Sequence, residues 1–267
     1  MSPSRAAENL RRELARSRLI VGLDVSTQAE AERLVEALVR EVGLFKVGKQ
    51  LFMRTGPGIV EAIRKRGGEV FLDLKFHDIP RTVARASMEA TRLGVRMFNV
   101  HASGSLEMMH LTAREVRRIC RLEELRRPIM LAVTVLTSLS QDDLVRVGVR
   151  SRVKPQVVRL ARLAKEAGMD GVVASPQEVG EIREECGRRF VIVTPGVRPA
   201  GELWGDQKRV LTPAEAIRAG SDYVVVGRPV LDAPDPVGAA RKIVAEIAGS
   251  LGPRGLPRRL PRTGSDR

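Results

Sequence analysis

The chain is poor in most of the residues that announce a special chemistry. Its 267 residues include only two cysteines, Cys120 and Cys186, far apart and in no CxxC spacing. That excludes a disulfide framework or a zinc ribbon and suits a reducing compartment. Three histidines, His77, His101 and His110, fall in no metal-binding pattern, so no metal is expected. Aromatic residues make up 3%, too few for a surface that stacks bases. No apolar run reaches bilayer length, and the first 20 residues, rich in Arg and Glu, lack a signal-peptide core. The expectation is a cytoplasmic protein with no membrane partner. Asparagine occurs twice, at Asn9 and Asn99.

Arginine is what the chain has in excess: 38 Arg against 8 Lys, a formal charge of +14 and a pI near 10.9. GC-rich coding and selection for heat resistance would each raise Arg and lower Asn. The arginines are scattered, and with so few aromatics they describe no nucleic-acid groove, so no nucleic-acid partner is expected. A basic nucleic-acid-binding protein is the non-enzymatic alternative; it predicts salt-sensitive binding. Hydrophobic content of 43% and charged content of 29% are those of an ordinary globular domain.

The clearest stretch is Phe71-Leu-Asp-Leu-Lys-Phe-His-Asp-Ile-Pro-Arg-Thr82. Val70, Leu72, Leu74 and Phe76 alternate with Phe71, Asp73 and Lys75, the period of a strand. A carboxylate and an ammonium therefore leave its C-terminal end on one side. Asp78 adds a second carboxylate in the loop, and Pro80 opens a helix. Asp78 as a mere helix cap, and Asp73 with Lys75 as a neutralised pair, are the bland readings. Charges on a buried strand face are costly unless used.

The rest of the chain repeats the strand–helix alternation. Strands are expected at 19–24, 44–48, 70–76, 96–101, 128–135, 171–174, 190–193 and 223–226. Amphipathic helices are expected at 29–41, 50–66 (interrupted by Gly56-Pro57-Gly58), 105–120, 155–167, 176–186 and 236–249, with a short one after Thr212-Pro213. Thr27 and Thr212 are candidate caps. Residues 1–17 form a polar lead-in, helical around 7–15, and 252–267 a basic, disordered tail with five Arg and one Asp. Eight strands alternating with helical segments over 18–251 indicate one α/β domain, a (β/α)8 TIM barrel, with an open doubly wound sheet as runner-up. Polar residues recur at the strands' C-terminal ends, where this fold places its active site: Asp24, Lys46, Asp73 with Lys75, His101, Thr137, Ser175 and Arg228.

Gly43-Leu-Phe-Lys-Val-Gly48-Lys49 mimics a nucleotide-binding P-loop, but Gln50 replaces its Ser/Thr and the interior is apolar strand. A phosphate site is read instead in the last two loops, where Gly227 permits close backbone approach and Arg228 supplies a forked cation. Arg198 and Gln207 lie on a polar loop, 194–209, long enough to act as a lid.

The blocks Asp73-Leu-Lys75-Phe-His-Asp78-Ile-Pro-Arg-Thr82, Phe45-Lys46-Val-Gly48, Leu136-Thr137-Ser138, Thr194-Pro195-Gly-Val-Arg198-Pro with Asp206-Gln207, and Val226-Gly227-Arg228-Pro229, in that arrangement, resemble the orotidine 5′-phosphate decarboxylase family over about residues 19–248. Arg81 departs from the family's more usual Asn. The resemblance implies decarboxylation of orotidine 5′-phosphate to UMP with no cofactor. Lys75 would protonate C6, and Asp73 would lie by the departing carboxylate. Lys46, Asp73, Lys75 and Asp78 would form an alternating charge array. Asp78, with Thr82, would come from the partner in a homodimer. Asp24, Lys46 and Thr82 would contact ribose hydroxyls, Ser138 with nearby Thr137 would face the pyrimidine edge, and Pro195 would be among the substrate contacts. Gln207 would bridge base and phosphate, Arg198 would be a further substrate contact, and Gly227 and Arg228 would hold the phosphate. A sugar-phosphate decarboxylase of the same superfamily, needing Mg2+, is the alternative.

Overall fold

Parallel strands must be joined by long crossovers, and the amphipathic segments between the short apolar runs supply them. The computed structural model describes residues 3–199 and 211–251. Its strands are β1 (Leu19–Gly22), β2 (Leu44–Gly48), β3 (Val70–Phe76), β4 (Met97–His101), β5 (Ile129–Val133), β6 (Gly171–Val173), β7 (Val191–Pro195) and β8 (Tyr223–Val226). Each pairs in parallel with its neighbour, and β8 returns to β1, so the sheet is a closed barrel. Closure rules out the doubly wound sheet, which would leave two edges.

The strands are buried on both faces. Outward residues such as Val21, Phe45, Leu72 and Phe98 join a large cluster with the helices. Inward residues, including Ile20, Leu44, Phe71, Met97, Val193 and Val225, fill the barrel itself. Register aligns this plug across strands, with Ile20 opposite Leu44 and Phe71 opposite Met97. Two residues further along, the inward positions change character: Lys46 follows Leu44, Asp73 follows Phe71, Asn99 follows Met97, Pro195 follows Val193 and Gly227 follows Val225. The apolar plug is thus the floor of a polar rim. At Gly171 a Cβ would stand 2.1 Å from the Val191 carbonyl oxygen, so β6 can approach β7 only without a side chain there.

Helix starts follow their expected caps. Thr27 accepts the Glu30 N–H at 3.2 Å, and Thr212 with Glu215 makes a reciprocal capping box. Several boundaries differ from the sequence reading. The leading helix runs Pro3–Arg18, and the 50–66 segment is two helices, Lys49–Thr55 and Gly58–Lys65, broken at Gly56 with φ +66°. The polar connection after β5 contains an unanticipated helix, Gln141–Arg146, started by a Ser140–Asp143 capping box. A short turn of helix, Arg228–Leu231, follows β8. The P-loop mimic is β2 and the first turn after it. The 252–267 tail and most of the 194–209 loop lie outside the described residues. Among the described residues, no helix is long and apolar enough to cross a membrane.

Candidate active site

The rim charges form a chain of alternating sign. Asp24, just past β1, accepts a hydrogen bond from Lys46 Nζ at 2.9 Å. Lys46 Nζ also lies 3.7 Å from Asp73 Oδ2, and Lys75 Nζ donates to Asp73 Oδ1 at 2.7 Å. The Asp73 and Lys46 side chains are only 12% and 13% exposed, so alternation is required: either ion alone would carry a large desolvation penalty. Burial would raise the Asp73 pKa. The neighbouring Lys75 and Lys46 ammoniums, with hydrogen bonds from Lys75 and Asn99, outweigh burial and hold the carboxyl below its ordinary range.

Lys75 is reached through an irregular backbone. Its φ is +52°, a left-handed conformation that disfavours a side-chain-bearing residue by roughly 1–2 kcal/mol. The β3–β4 register slips at the same place, with Leu72 opposite Phe98 but Phe76 opposite Val100. Asn99, fully buried on β4, accepts the Lys75 backbone N–H through Oδ1 at 2.8 Å and donates from Nδ2 to Asp73 Oδ1 at 2.7 Å. Sequence reasoning did not assign Asn99 to the site. The available signal was its inward position beside Asp73, in a chain with only two asparagines.

Lys46, Asp73 and Lys75 form the polar side of a cavity of about 160 Å3, whose other walls include Phe71, Val133, Leu136, Val173 and Val225, with Thr137 and Pro195 at its border. A second hollow of about 190 Å3 lies on the Asp24 side, reached by Lys46, Gly48, Gln50, Asp73 and Lys75. The Gly227 Cα brings β8 alongside: a Cβ there would stand 3.4 Å from an Asp24 carboxylate oxygen. One half of the pocket is apolar and the other strongly polar, with fixed ions at the boundary.

Other expected site residues surround this pair of cavities more loosely. Thr137 and Ser138 are exposed in the turn after β5, and Arg228 is exposed after β8. Arg198 donates its backbone N–H to the Leu211 carbonyl at 3.1 Å, tying together the two described ends of the loop that holds Gln207. Gln207 itself is outside the described residues. Asp78 and Thr82 are exposed. Asp78 does not cap the following helix, which begins after Ile79; its carboxylate instead accepts the adjacent Ile79 N–H at 2.6 Å. Within one chain, therefore, the array comprises Asp24, Lys46, Asp73 and Lys75, and Asp78 stands apart from it.

The His101 and His77 rings sit with centroids 5.2 Å apart next to the site. Burial first, then repulsion from neighbouring His77, Lys75 and Lys49, push the His101 pKa down to about 4, so its imidazole is neutral at pH 7. Among the described residues, no three His, Cys, Asp or Glu side chains gather as a metal site. A hollow of about 560 Å3 at the opposite pole of the barrel contains none of these residues. Its Arg16 and Arg126 are taken up by Glu13 and Glu69.

This arrangement has close relatives. A protein from Syntrophotalea carbinolica named orotidine 5′-phosphate decarboxylase is 59% identical over 237 residues, covering 89% of this chain and 97% of that protein. One of the same name from Geobacter sulfurreducens is 57% identical over 236 residues, covering 88% and 98%. The crystal structure of orotidine 5′-phosphate decarboxylase from Lactobacillus acidophilus superposes with a TM-score of 0.76 at 35% identity, covering 86% of this chain and 98% of that one. The family model described as orotidine 5′-phosphate decarboxylase / HUMPS matches residues 17–243, nearly the whole barrel, and the chain belongs to that family.

Proposed function

We propose that this protein decarboxylates orotidine 5′-phosphate to UMP and CO2, the last step of de novo pyrimidine nucleotide synthesis, without a cofactor. The observation that carries the reading is the Asp73–Lys75 pair, held at 2.7 Å on the edge of an otherwise apolar cavity, in a chain whose relatives carry that name across almost their full length.

In the proposed reaction the bond from C6 to the carboxylate carbon breaks, CO2 departs, and the electron pair stays on C6. A proton from Lys75 Nζ then forms the C6–H bond of UMP. Charge localised on a ring carbon is poorly solvated, so a fixed ammonium in a water-poor site lowers the barrier. Asp73 faces the departing carboxylate and orients Lys75. Asp24 and Lys46 bind ribose hydroxyls, while Thr137, Ser138 and Pro195 border the base. Arg228 and Gly227 hold the phosphate, with Arg198 and Gln207 as further substrate contacts.

The active form in this reading is a homodimer in which Asp78 and Thr82 reach the partner's site. Exposed Met53, Ile79 and Leu106, which project from the segments after β2, β3 and β4, support it. The two free cysteines suit a cytoplasmic setting. The barrel at 18–251 is read as the catalytic domain. The decisive experiment is loss of orotate absorbance when purified protein meets orotidine 5′-phosphate in the presence of EDTA. Turnover is expected; none, with folded protein, overturns the assignment, and turnover that EDTA abolishes would point to the Mg2+-dependent relatives.

A further inference from the structure

On β3, the three residues Asp73, Leu74 and Lys75 lie between Leu72 and Phe76, which pair with Phe98 and Val100 of β4. Only Asn99 stands opposite them. The two extra residues throw the Lys75 N–H out of the ladder, and the left-handed backbone at Lys75 is the geometric result. An N–H displaced in this way needs another acceptor. It finds the Asn99 side-chain oxygen at 2.8 Å, while the same amide's nitrogen donates to Asp73 at 2.7 Å.

We propose that Asn99 is a positioning residue for decarboxylation, whose one amide fixes the bulged backbone of Lys75 and the carboxylate of Asp73 relative to each other. At neutral pH an amide does both jobs, and an ionised carboxylate cannot. The Lys75 N–H can only donate and the ionised Asp73 can only accept, so the orientation of the Asn99 amide is unique. A carboxylate there would face Asp73 without a proton to offer; a leucine would fill the volume and make neither bond. Asn99 is fully buried and backed by the strand's own packing, so the amide arrives preorganised. With the Asp73 Oδ1 atom shared between the Asn99 amide and the Lys75 ammonium, a loosened Asn99 would free both catalytic side chains at once.

The inference rests on the decarboxylase reading, and the test separates the two. In Asn99→Leu, KM and the affinity for UMP should stay within about threefold while kcat falls about a hundredfold, the penalty of misplacing reacting groups by about an ångström. In Asn99→Asp, the new carboxyl is held near Asp73, Lys75 and Lys46, and two adjacent carboxyls share a proton. When protonated, it reproduces the amide's donor and acceptor; when ionised, it repels Asp73. The ratio of its kcat to wild type should therefore rise about tenfold or more from pH 8 to pH 5. A kcat within threefold of wild type for Asn99→Leu, or a pH-independent ratio for Asn99→Asp, overturns the positioning role. The second variant decides the matter if the first does not fold. A wild-type chain inert toward orotidine 5′-phosphate would overturn the activity itself, and this inference with it.

Discussion

Lys75 Nζ meets Asp73 Oδ1 at 2.7 Å although the two residues sit two positions apart on β3. On a regular strand such neighbours point the same way with their Cα atoms roughly 6.5–7 Å apart. The bulge and the positive φ at Lys75 bring their ends into contact, so the strand spends backbone strain on this one juxtaposition.

Removing the ammonium tests what that contact is for. Lys75→Ala should lower kcat by at least about 10³-fold, since it deletes both the proposed proton donor and the cation proposed to lie beside C6. The fold and UMP affinity should survive, because the side chain is partly exposed at the rim rather than packed in the plug. Activity within tenfold of wild type would exclude Lys75 as the proton donor.

The neutral His101 makes stability depend on pH. Its folded pKa of about 4 lies below the ordinary 6.5, so between these values the unfolded chain binds the extra proton. Stability contributed by the neutral ring is present above about pH 6.5 and is lost as pH falls toward 4. Because the ring is only about half buried, the effect should be near 1 kcal/mol rather than the full shift. Asp73, held below its ordinary range, adds a loss at still lower pH. Urea unfolding at pH 7 and pH 4.5 should show a smaller difference for His101→Gln than for wild type; equal differences would remove His101 as the source.

How much of this was legible beforehand follows from what each feature depends on. The barrel was readable because the count of short apolar runs and the helical segments between them are local, and the rim charges Asp24, Lys46, Asp73 and Lys75 because they interrupt those runs. Asn99 was not, since nothing at Arg96-Met-Phe-Asn-Val-His101 signals that β3 will bulge opposite it. The Gln141–Arg146 helix escaped because it is short and its apolar side is essentially Leu144 alone. Asp78 reads as part of the charge array in sequence, yet in a single chain it faces solvent. Whether it belongs depends on a second subunit, and linear order carries no register for that.

Subunit sharing has a direct assay. Lys75→Ala chains are mixed with Asp78→Asn chains and allowed to exchange. If Asp78 acts across the interface, each mixed dimer holds one doubly damaged site and one intact site. Half of the dimers are mixed under random pairing, so roughly a quarter of wild-type activity should return. If Asp78 serves its own chain, no intact site can form. With exchange verified, absence of recovery would sink the shared-site arrangement.

Arg228 sits just past β8, one residue beyond Gly227 and the Asp24 side of the pocket. Its proposed contact, the phosphate, is remote from the carbon that changes. Were that grip used only to hold substrate, Arg228→Ala would raise KM and leave kcat alone. A larger effect is expected. Binding energy gathered at the phosphate can help hold the nucleotide over the apolar cavity, and the transition state needs that water-poor setting more than the ground state does. kcat/KM should therefore fall by about 3–5 kcal/mol of barrier, with part of the loss in kcat. The phosphate-free nucleoside orotidine provides the control. It offers Arg228 nothing to grip, so its slow turnover should be almost the same in variant and wild type. A comparable loss with orotidine would mean that Arg228 supports the end of the barrel or the base cavity, and the phosphate would have to be assigned to other residues.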